Sequence, residues 1–388
     1  MKRVAVFGST GSVGTQAVSI IEKHPDRLRA SVLTCGGNLT RFREQLAALK
    51  PETAVVGASA GRGAEEAAAA LSEAFPDTRF LSGPAGLAAA AQEAEYDVLL
   101  NALTGIAGLI PTWNAVRSGR DVALANKESL VTGGAHIMEE ARRRGVDILP
   151  VDSEHSAIFQ ALQGNGGNRL KRIILTTSGG PFRGFTKEEL RHVTLRQALA
   201  HPSWSMGSKI TIDSATMMNK GLEIIEAGWL FDAASEQIEV AVHPQCIIHS
   251  MVEFADHSIL AQLGAPDMRA PISYALSCPE RWETDVAQLD FFALRELCFE
   301  EADTDVFSCL RLARRAMREG KSYPVALNAA NETLVKLFLE QKIGFTDIQE
   351  NIERVLDAHS PADLRSPDEI LEADRAVREK MMENMKIK

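Results

Sequence analysis

No stretch of this 388-residue chain approaches the roughly 20 consecutive apolar residues that a membrane-crossing helix needs, so no span is predicted. Nor is there a CxxC pair. The five cysteines, at 35, 246, 278, 298 and 309, are odd in number and scattered, which predicts neither a disulfide framework nor a zinc site. Positive charge is scarce as well: 42 Lys and Arg face 52 Asp and Glu, a net charge of −10. That balance excludes a general nucleic-acid binder, which must neutralise a phosphate backbone with many cations. Any anionic ligand must therefore be held locally. The N-terminus reaches a glycine-rich turn by Gly8, too soon for a signal peptide, and the expected location is the cytoplasm. What is present is ordinary for a soluble globular chain: 45% hydrophobic and 24% charged residues, with length for two or three domains.

The apolar run 4–7 leads into Gly8-Ser9-Thr10-Gly11-Ser12-Val13-Gly14 and then an amphipathic stretch. Strand, glycine turn and helix together form the context of a dinucleotide fingerprint, in which glycines admit a pyrophosphate to the backbone and the helix N-terminus supplies free N–H groups. The spacing is GxxGxxG rather than GxGxxG, so the context carries more weight than the pattern. The next strand, 29–34, ends in Cys35-Gly36-Gly37-Asn38 with Arg41 shortly after, where NAD enzymes place a carboxylate. A missing carboxylate near a guanidinium favours NADP, unless Arg41 simply faces solvent. Further strand-like runs at 53–56, 96–100 and 121–125 alternate with Ala-rich helical stretches, among them a surface helix over 58–71. This is the pattern of a doubly wound parallel sheet. The strand at 121–125 delivers Asn126-Lys127-Glu128-Ser129, in which Lys127 is either a ligand-facing cation or a partner of Glu128.

Asp152-Ser153-Glu154 follows the apolar run 147–150 and precedes a helical stretch, placing two carboxylates at the carboxyl end of a strand, where open α/β sheets bind ligands. Downstream, Thr177-Ser178-Gly179-Gly180 makes an anion-binding turn after the strand 172–176. The segment 200–207 surrounds Trp204 with Pro202, Gly207 and serines. It is either a lid over a substrate or a loop that its own Trp anchors. A helix over 214–226 would bring Asn219, Lys220 and Glu223 within one turn. Glu223 is then either a solvated face or a third carboxylate beside Asp152 and Glu154; three such oxygens without a Cys cluster favour Mg²⁺ or Mn²⁺ over zinc. Residues 278–303 read as a linker, and 307–319, 325–340, 345–358 and 367–385 have helical periodicity, predicting a C-terminal bundle.

Seven motifs resemble, in order across nearly the whole chain, those of the 1-deoxy-D-xylulose 5-phosphate reductoisomerases. They are residues 8–14, Leu124-Ala125-Asn126-Lys127-Glu128-Ser129, 150–155, 177–183, His201-Pro202-Ser203-Trp204-Ser205-Met206-Gly207, 213–223 and Ala326-Leu327-Asn328-Ala329-Ala330-Asn331-Glu332. The resemblance implies an α/β protein with a Rossmann-like NADPH domain at 1–150, a catalytic α/β domain with a flap at 151–277, the linker, and a helical bundle at 304–388. It implies an NADPH-dependent oxidoreductase of the non-mevalonate isoprenoid pathway that converts 1-deoxy-D-xylulose 5-phosphate to 2-C-methyl-D-erythritol 4-phosphate, a homodimer, and Mg²⁺ or Mn²⁺ (Co²⁺ as a further option). A phosphosugar aldolase or lyase, or a non-catalytic NADPH sensor, are the competing readings.

Residue by residue, the resemblance implies Asp152, Glu154 and Glu223 as metal ligands, with Lys127 beside them in catalysis and Ser153 on the substrate. Ser178, Ser214, Asn219 and Lys220 match phosphate-binding positions, His201 sits beside them, and Trp204 belongs to the flap. Cofactor contacts are expected from Gly8, Ser9, Thr10, Gly11, Ser12, Val13, Gly36, Gly37, Asn38, Asn126, Glu128 and Gly207. Ser203 stands where family members commonly carry Asn.

Overall fold

Short β-branched and aliphatic runs, each followed by a helical stretch, form seven parallel strands: β1 (Lys2–Phe7), β2 (Leu28–Cys35), β3 (Thr53–Val56), β4 (Arg79–Ser82), β5 (Val98–Asn101), β6 (Asp121–Leu124) and β7 (Ile148–Pro150). The computed structural model describes residues 1–57, 63–165 and 167–385. The chain divides into two units, the first comprising Met1–Ser129, Ala135–Ser156 and Asp267–Val286, the second Leu130–Gly134, Ala157–Pro266 and Ala287–Lys388. In the first unit the strand order is β4-β3-β2-β1-β5-β6-β7. Val4, Val6, Leu33, Val55 and Leu100 are wholly buried, as expected of a parallel sheet covered on both faces. The direction of winding reverses at β1, whose neighbours are β2 and β5, so the crevice beyond the carboxyl ends of β1 and β5 is the switch point where such sheets bind ligands.

The doubly wound α/β reading therefore holds, with β4 as an edge strand that the sequence pattern did not reveal. The helix expected over 58–71 runs Ala64–Ala74, and residues 58–62 lie outside the described residues. Residues 267–286 return to this unit: the helix Arg269–Ser277 adds Ile272, Ala275 and Leu276 to its core. Lys2 Nζ donates to the Leu276 carbonyl at 2.8 Å, and Arg27 pairs with Glu280 at 3.0 Å.

The second unit holds a mixed sheet of β8 (Leu170–Thr177), β9 (Ile238–Val242), β10 (Ile248–Phe254), β11 (Ile259–Leu263) and β12 (Glu300–Glu301), ordered β11-β10-β8-β9-β12. The expected helix over 214–226 is two helices, Ser208–Ala215 and Met218–Phe231, broken where Met217 takes φ 61°. Four helices close the chain, Cys309–Glu319, Tyr323–Leu339, Phe345–Asp357 and Pro367–Asn384, each within two residues of its predicted bounds. They share one core with the sheet: Leu222 and Ile225 lie in the same cluster as Leu312, Ala326 and Leu334. Gly221 permits that approach, since a Cβ there would stand 2.7 Å from Ala313 Cβ.

Candidate active site

β1 ends in a turn built by its glycines. Gly8 takes φ 85°, and a Cβ on it would lie 2.7 Å from the Ala102 carbonyl oxygen at the end of β5. Gly14 packs the first turn of the helix Ser12–Lys23 onto that bend, where a Cβ would lie 2.1 Å from the Gly8 oxygen. Ser9 is wholly buried; its N–H donates to Thr34 O at 2.8 Å and its hydroxyl to Gln45 Oε1 at 2.7 Å. Both bonds hold the shape of the turn. Gly11 caps the helix without a side chain, while Thr10, Gly11, Ser12 and Val13 are part or fully exposed along the rim. At the end of β2, Gly36, Gly37 and Asn38 form a second rim, and Asn38 Oδ1 caps the following helix by accepting the Arg41 N–H at 3.1 Å. Arg41 points outward to Glu44 at 2.8 Å, with both side chains at least half exposed.

At the ends of β6 and β7 the candidate catalytic groups gather. Asn126 caps the helix Lys127–Arg144 and is fully engaged: its amide donates to the carbonyls of Leu103 and Gly105 at 2.8 and 2.9 Å and to Glu128 at 3.1 Å. Glu128 is thus tied to Asn126. Lys127 instead reaches Asp152, Nζ to Oδ2 at 2.5 Å, with both side chains largely buried at 7% and 12% exposure. Asp152 begins the helix Ser153–Leu162, its carbonyl accepting the Ser156 N–H at 2.8 Å, so this carboxylate and Glu154 sit at a helix N-terminus that favours negative charge. Ser153 donates to Glu154. His155, wholly buried, lies with Nδ1 3.9 Å from Asp152 Oδ2; the sequence reading gave it no role.

The second unit carries its own polar side chains. After β8, Gly179 and Gly180 both take positive φ, 82° and 70°, and a Cβ on Gly180 would meet the Ser214 carbonyl oxygen at 2.7 Å. This close approach sets the turn against the end of the helix Ser208–Ala215. His201 Nδ1 accepts backbone N–H groups from Ser203 and Trp204 at 3.2 and 3.0 Å. In the neutral ring the hydrogen is therefore on Nε2, which donates to Ser178 Oγ at 3.0 Å. Gly180 N–H donates to the same Oγ at 3.1 Å. With its acceptor sites taken, Ser178 has its own hydroxyl proton left to offer, and an anion is the partner that suits. Trp204 lies over His249, ring centroids 6.5 Å apart, while Gly207 caps the helix Ser208–Ala215. On Met218–Phe231, Glu223 is wholly buried and accepts from Asn219 Nδ2 at 2.5 Å and from the buried ammonium of Lys220.

Models of the 1-deoxy-D-xylulose 5-phosphate reductoisomerase match residues 4–134, with the C-terminal domain models of the same enzyme matching 148–231 and 263–380. The chain belongs to this reductoisomerase family. It is 50% identical over 384 residues to the 1-deoxy-D-xylulose 5-phosphate reductoisomerase of Geobacter metallireducens, covering 99% of both chains. It is 50% identical over 382 residues to that of Prosthecochloris aestuarii, covering 98% of each. Among solved structures, the Zymomonas mobilis reductoisomerase in complex with NADPH superposes with TM-score 0.89 at 41% identity, over 100% of both chains. A reductoisomerase in complex with NADPH, fosmidomycin and magnesium gives 0.94 at 38% identity, over 100% of this chain and 99% of that one.

Within this reductoisomerase fold each unit assembles its own share of the predicted residues. The first brings Lys127, Asp152, Ser153 and Glu154 together, the second Ser178 with His201 and Asn219 with Lys220 and Glu223. Burial holds His201 below its ordinary value of 6.5, which favours the neutral ring. A histidine depressed in the fold contributes stability that is fully present above the unfolded value and lost as pH falls through the folded one. Protonation puts a hydrogen on Nδ1, which then repels the two N–H groups it accepted. The amides of Ser203 and Trp204 are therefore expected to exchange with deuterium faster at pH 5 than at pH 7.5, after correction for intrinsic rates. His201→Asn, whose Oδ1 replaces the acceptor, removes that pH dependence. Equal corrected rates at both pH values in the unmodified protein count against this anchor.

Proposed function

We propose that this chain converts 1-deoxy-D-xylulose 5-phosphate to 2-C-methyl-D-erythritol 4-phosphate, by isomerisation and NADPH-dependent reduction with a divalent cation, in the non-mevalonate supply of isoprenoid precursors. The observation that carries this reading is the full-length likeness to the reductoisomerase holding NADPH, fosmidomycin and magnesium. The donor chemistry supports the cation: Asp152, Glu154 and Glu223 offer hard carboxylate oxygens, and Asp152 and Glu223 each already neutralise an ammonium, from Lys127 and Lys220. These three carboxylates would hold Mg²⁺ or Mn²⁺. When bound, the cation supplies Lewis acidity toward neighbouring substrate oxygens, and NADPH supplies the hydride.

The chain's own residues do the rest. Gly8, Gly11 and Gly14 open the backbone at the switch point to the cofactor pyrophosphate, and the first turn of Ser12–Lys23 offers N–H groups to it. Arg41, held only by an exposed pair of little strength, is free to turn to a 2′-phosphate beside Gly36, Gly37 and Asn38. Lys127 orients the oxygen-bearing end of the substrate, with Ser153 beside it. Ser178, Ser214, Asn219 and Lys220 hold the substrate phosphate, whose binding energy supports closure of the segment around Trp204. The first unit is accordingly the NADPH domain and the second the substrate domain with its bundle.

A homodimer in the cytoplasm completes the reading. Ile259 and Leu260 on the edge strand β11, with Phe292 at 94% exposure, are apolar groups that a second copy would cover, and sedimentation measures that state directly. No helix among the described residues is long and apolar enough to cross a membrane. The deciding assay mixes the protein with NADPH, Mg²⁺ or Mn²⁺ and 1-deoxy-D-xylulose 5-phosphate and follows loss of reduced-nicotinamide absorbance. Absence of turnover with every divalent cation tried rejects the proposal.

A further inference from the structure

We propose that Asn331, on the C-terminal bundle helix Tyr323–Leu339, is a positioning residue for the phosphate-binding end of the substrate site: it holds Asp213 and, through it, Ser214. The inference rests on the reading of Ser214 as a phosphate ligand. Asn331 Nδ2 donates to Asp213 Oδ1 at 2.8 Å, and Lys209 Nζ pairs with Asp213 Oδ2 at 2.7 Å. Asn331 and Asp213 are buried, at 0% and 1% exposure. A carboxylate so placed costs desolvation that an apolar side chain of similar size would avoid, so packing alone does not account for it. Lys209 lies on the same helix as Asp213, so the bond from Asn331 is the one that arrives from another helix, and as a directional bond it restrains the rotation of Ser208–Ala215 about its axis.

That rotation aims the next residue. Ser214 follows Asp213 directly, and its carbonyl is the atom against which Gly180 packs. Thr216 then bonds back to the Asp213 carbonyl at 3.2 Å and accepts the Met218 N–H at 3.3 Å, across the left-handed Met217. Asn219 and Lys220 begin one residue later. The line from Asn331 thus reaches three of the four proposed phosphate contacts through short covalent and hydrogen-bonded steps.

Asn331 also has a liability: its Oδ1 is buried without a hydrogen-bond partner among the described residues. A residue kept for stability would not leave an acceptor so exposed to desolvation cost, whereas one kept for a single directed N–H would. Behind it, Glu332 on the same helix accepts from Asn328 at 2.9 Å and from Arg378 at 2.8 Å, and Arg378 is clamped by Asp374. The last helix of the chain therefore stiffens the helix that carries Asn331.

The test uses the full-length protein. Asn331→Leu, nearly isosteric and without the N–H, is expected to raise KM for 1-deoxy-D-xylulose 5-phosphate about 10-fold or more. KM for NADPH should stay within about twofold, although leaving the buried Asp213 Oδ1 without its donor lowers the thermal midpoint. Inorganic phosphate, titrated calorimetrically, should bind correspondingly weaker. Asn331→Asp, which sets two carboxylates against one another, should show the same substrate defect, and adding Asp213→Asn, which rebuilds an amide–carboxylate bond, should recover most of it. Unaltered phosphate affinity and KM in Asn331→Leu, a parallel loss of NADPH affinity, or a swap no better than Asn331→Asp overturns the proposal. A wild-type protein that binds phosphate more tightly than Asn331→Leu yet does not turn over the phosphosugar would reject the reading of function and leave the positioning role standing.

Discussion

Glu223→Gln is expected to lower turnover by about 10³-fold or more while leaving NADPH affinity within about twofold. Gln keeps the shape of the side chain but not its charge, and a neutral amide oxygen is a poor ligand for a hard dication beside two other carboxylates. The same change disturbs the apoprotein. Glu223 is wholly buried against the ammonium of Lys220, and taking the charge from one member of a buried pair strands the other, at a cost of about 3–5 kcal/mol. Lower activity alone is then ambiguous, because a partly unfolded enzyme is also slow. The double variant Lys220→Met with Glu223→Gln separates the two effects. Removing both charges should restore much of the thermal midpoint, since neither member of the pair is left charged without the other, but no activity, since the proposed metal ligand and the proposed phosphate contact are both gone. Recovery of turnover along with stability would show that Glu223 serves the fold and not the chemistry. A large loss of NADPH binding in the single variant would place the residue elsewhere in the reaction.

The contrast between these residues and others shows what the sequence could reveal. Asn219, Lys220 and Glu223 are three and four residues apart on one helix, and helical spacing alone puts them on a common turn; the observed hydrogen bonds follow. The glycine turn was legible for the same reason, being a local device whose strand, bend and helix are contiguous. The break at Met217 was not. Nothing in the side chains at 214–218 marks a left-handed residue, and Met is a good helix former, so tertiary packing overrode local preference. Long-range partners were equally invisible. Lys127 sits next to Glu128 in sequence but pairs with Asp152, because the ends of β6 and β7 are adjacent strands of the sheet. Asn331 and Asp213 lie 118 residues apart, and only the fold makes them neighbours. Residues 267–286 carry an ordinary amphipathic helix whose return to the first unit no periodicity announces.

Lys127→Met should separate two properties that usually fall together: affinity for Mn²⁺ is expected to rise while kcat/KM falls by about 10²–10⁴-fold. The argument starts from the 2.5 Å contact between Lys127 Nζ and Asp152 Oδ2, in surroundings that leave the two side chains only 7% and 12% exposed. In so little water the ammonium is a strong source of positive charge beside the carboxylate. A divalent cation using Asp152 must compete with it, since cation and ammonium repel one another across a few ångströms. Removing the ammonium takes away that competitor and strengthens the carboxylate's hold on metal. The opposite sign for catalysis follows from what the ammonium does once displaced. In the proposed role, turned from Asp152 toward the substrate, it would be a donor aimed where negative charge develops on oxygen, and such preorganised donors are worth several kcal/mol to a transition state. Met fills the same volume and offers nothing there. Calorimetric Mn²⁺ titration of the two proteins, with turnover measured at saturating metal, checks both halves. Weaker Mn²⁺ binding in Lys127→Met would mean that the lysine supports the carboxylate cluster and does not compete with the cation. Unchanged kcat/KM would place Lys127 outside the chemistry altogether.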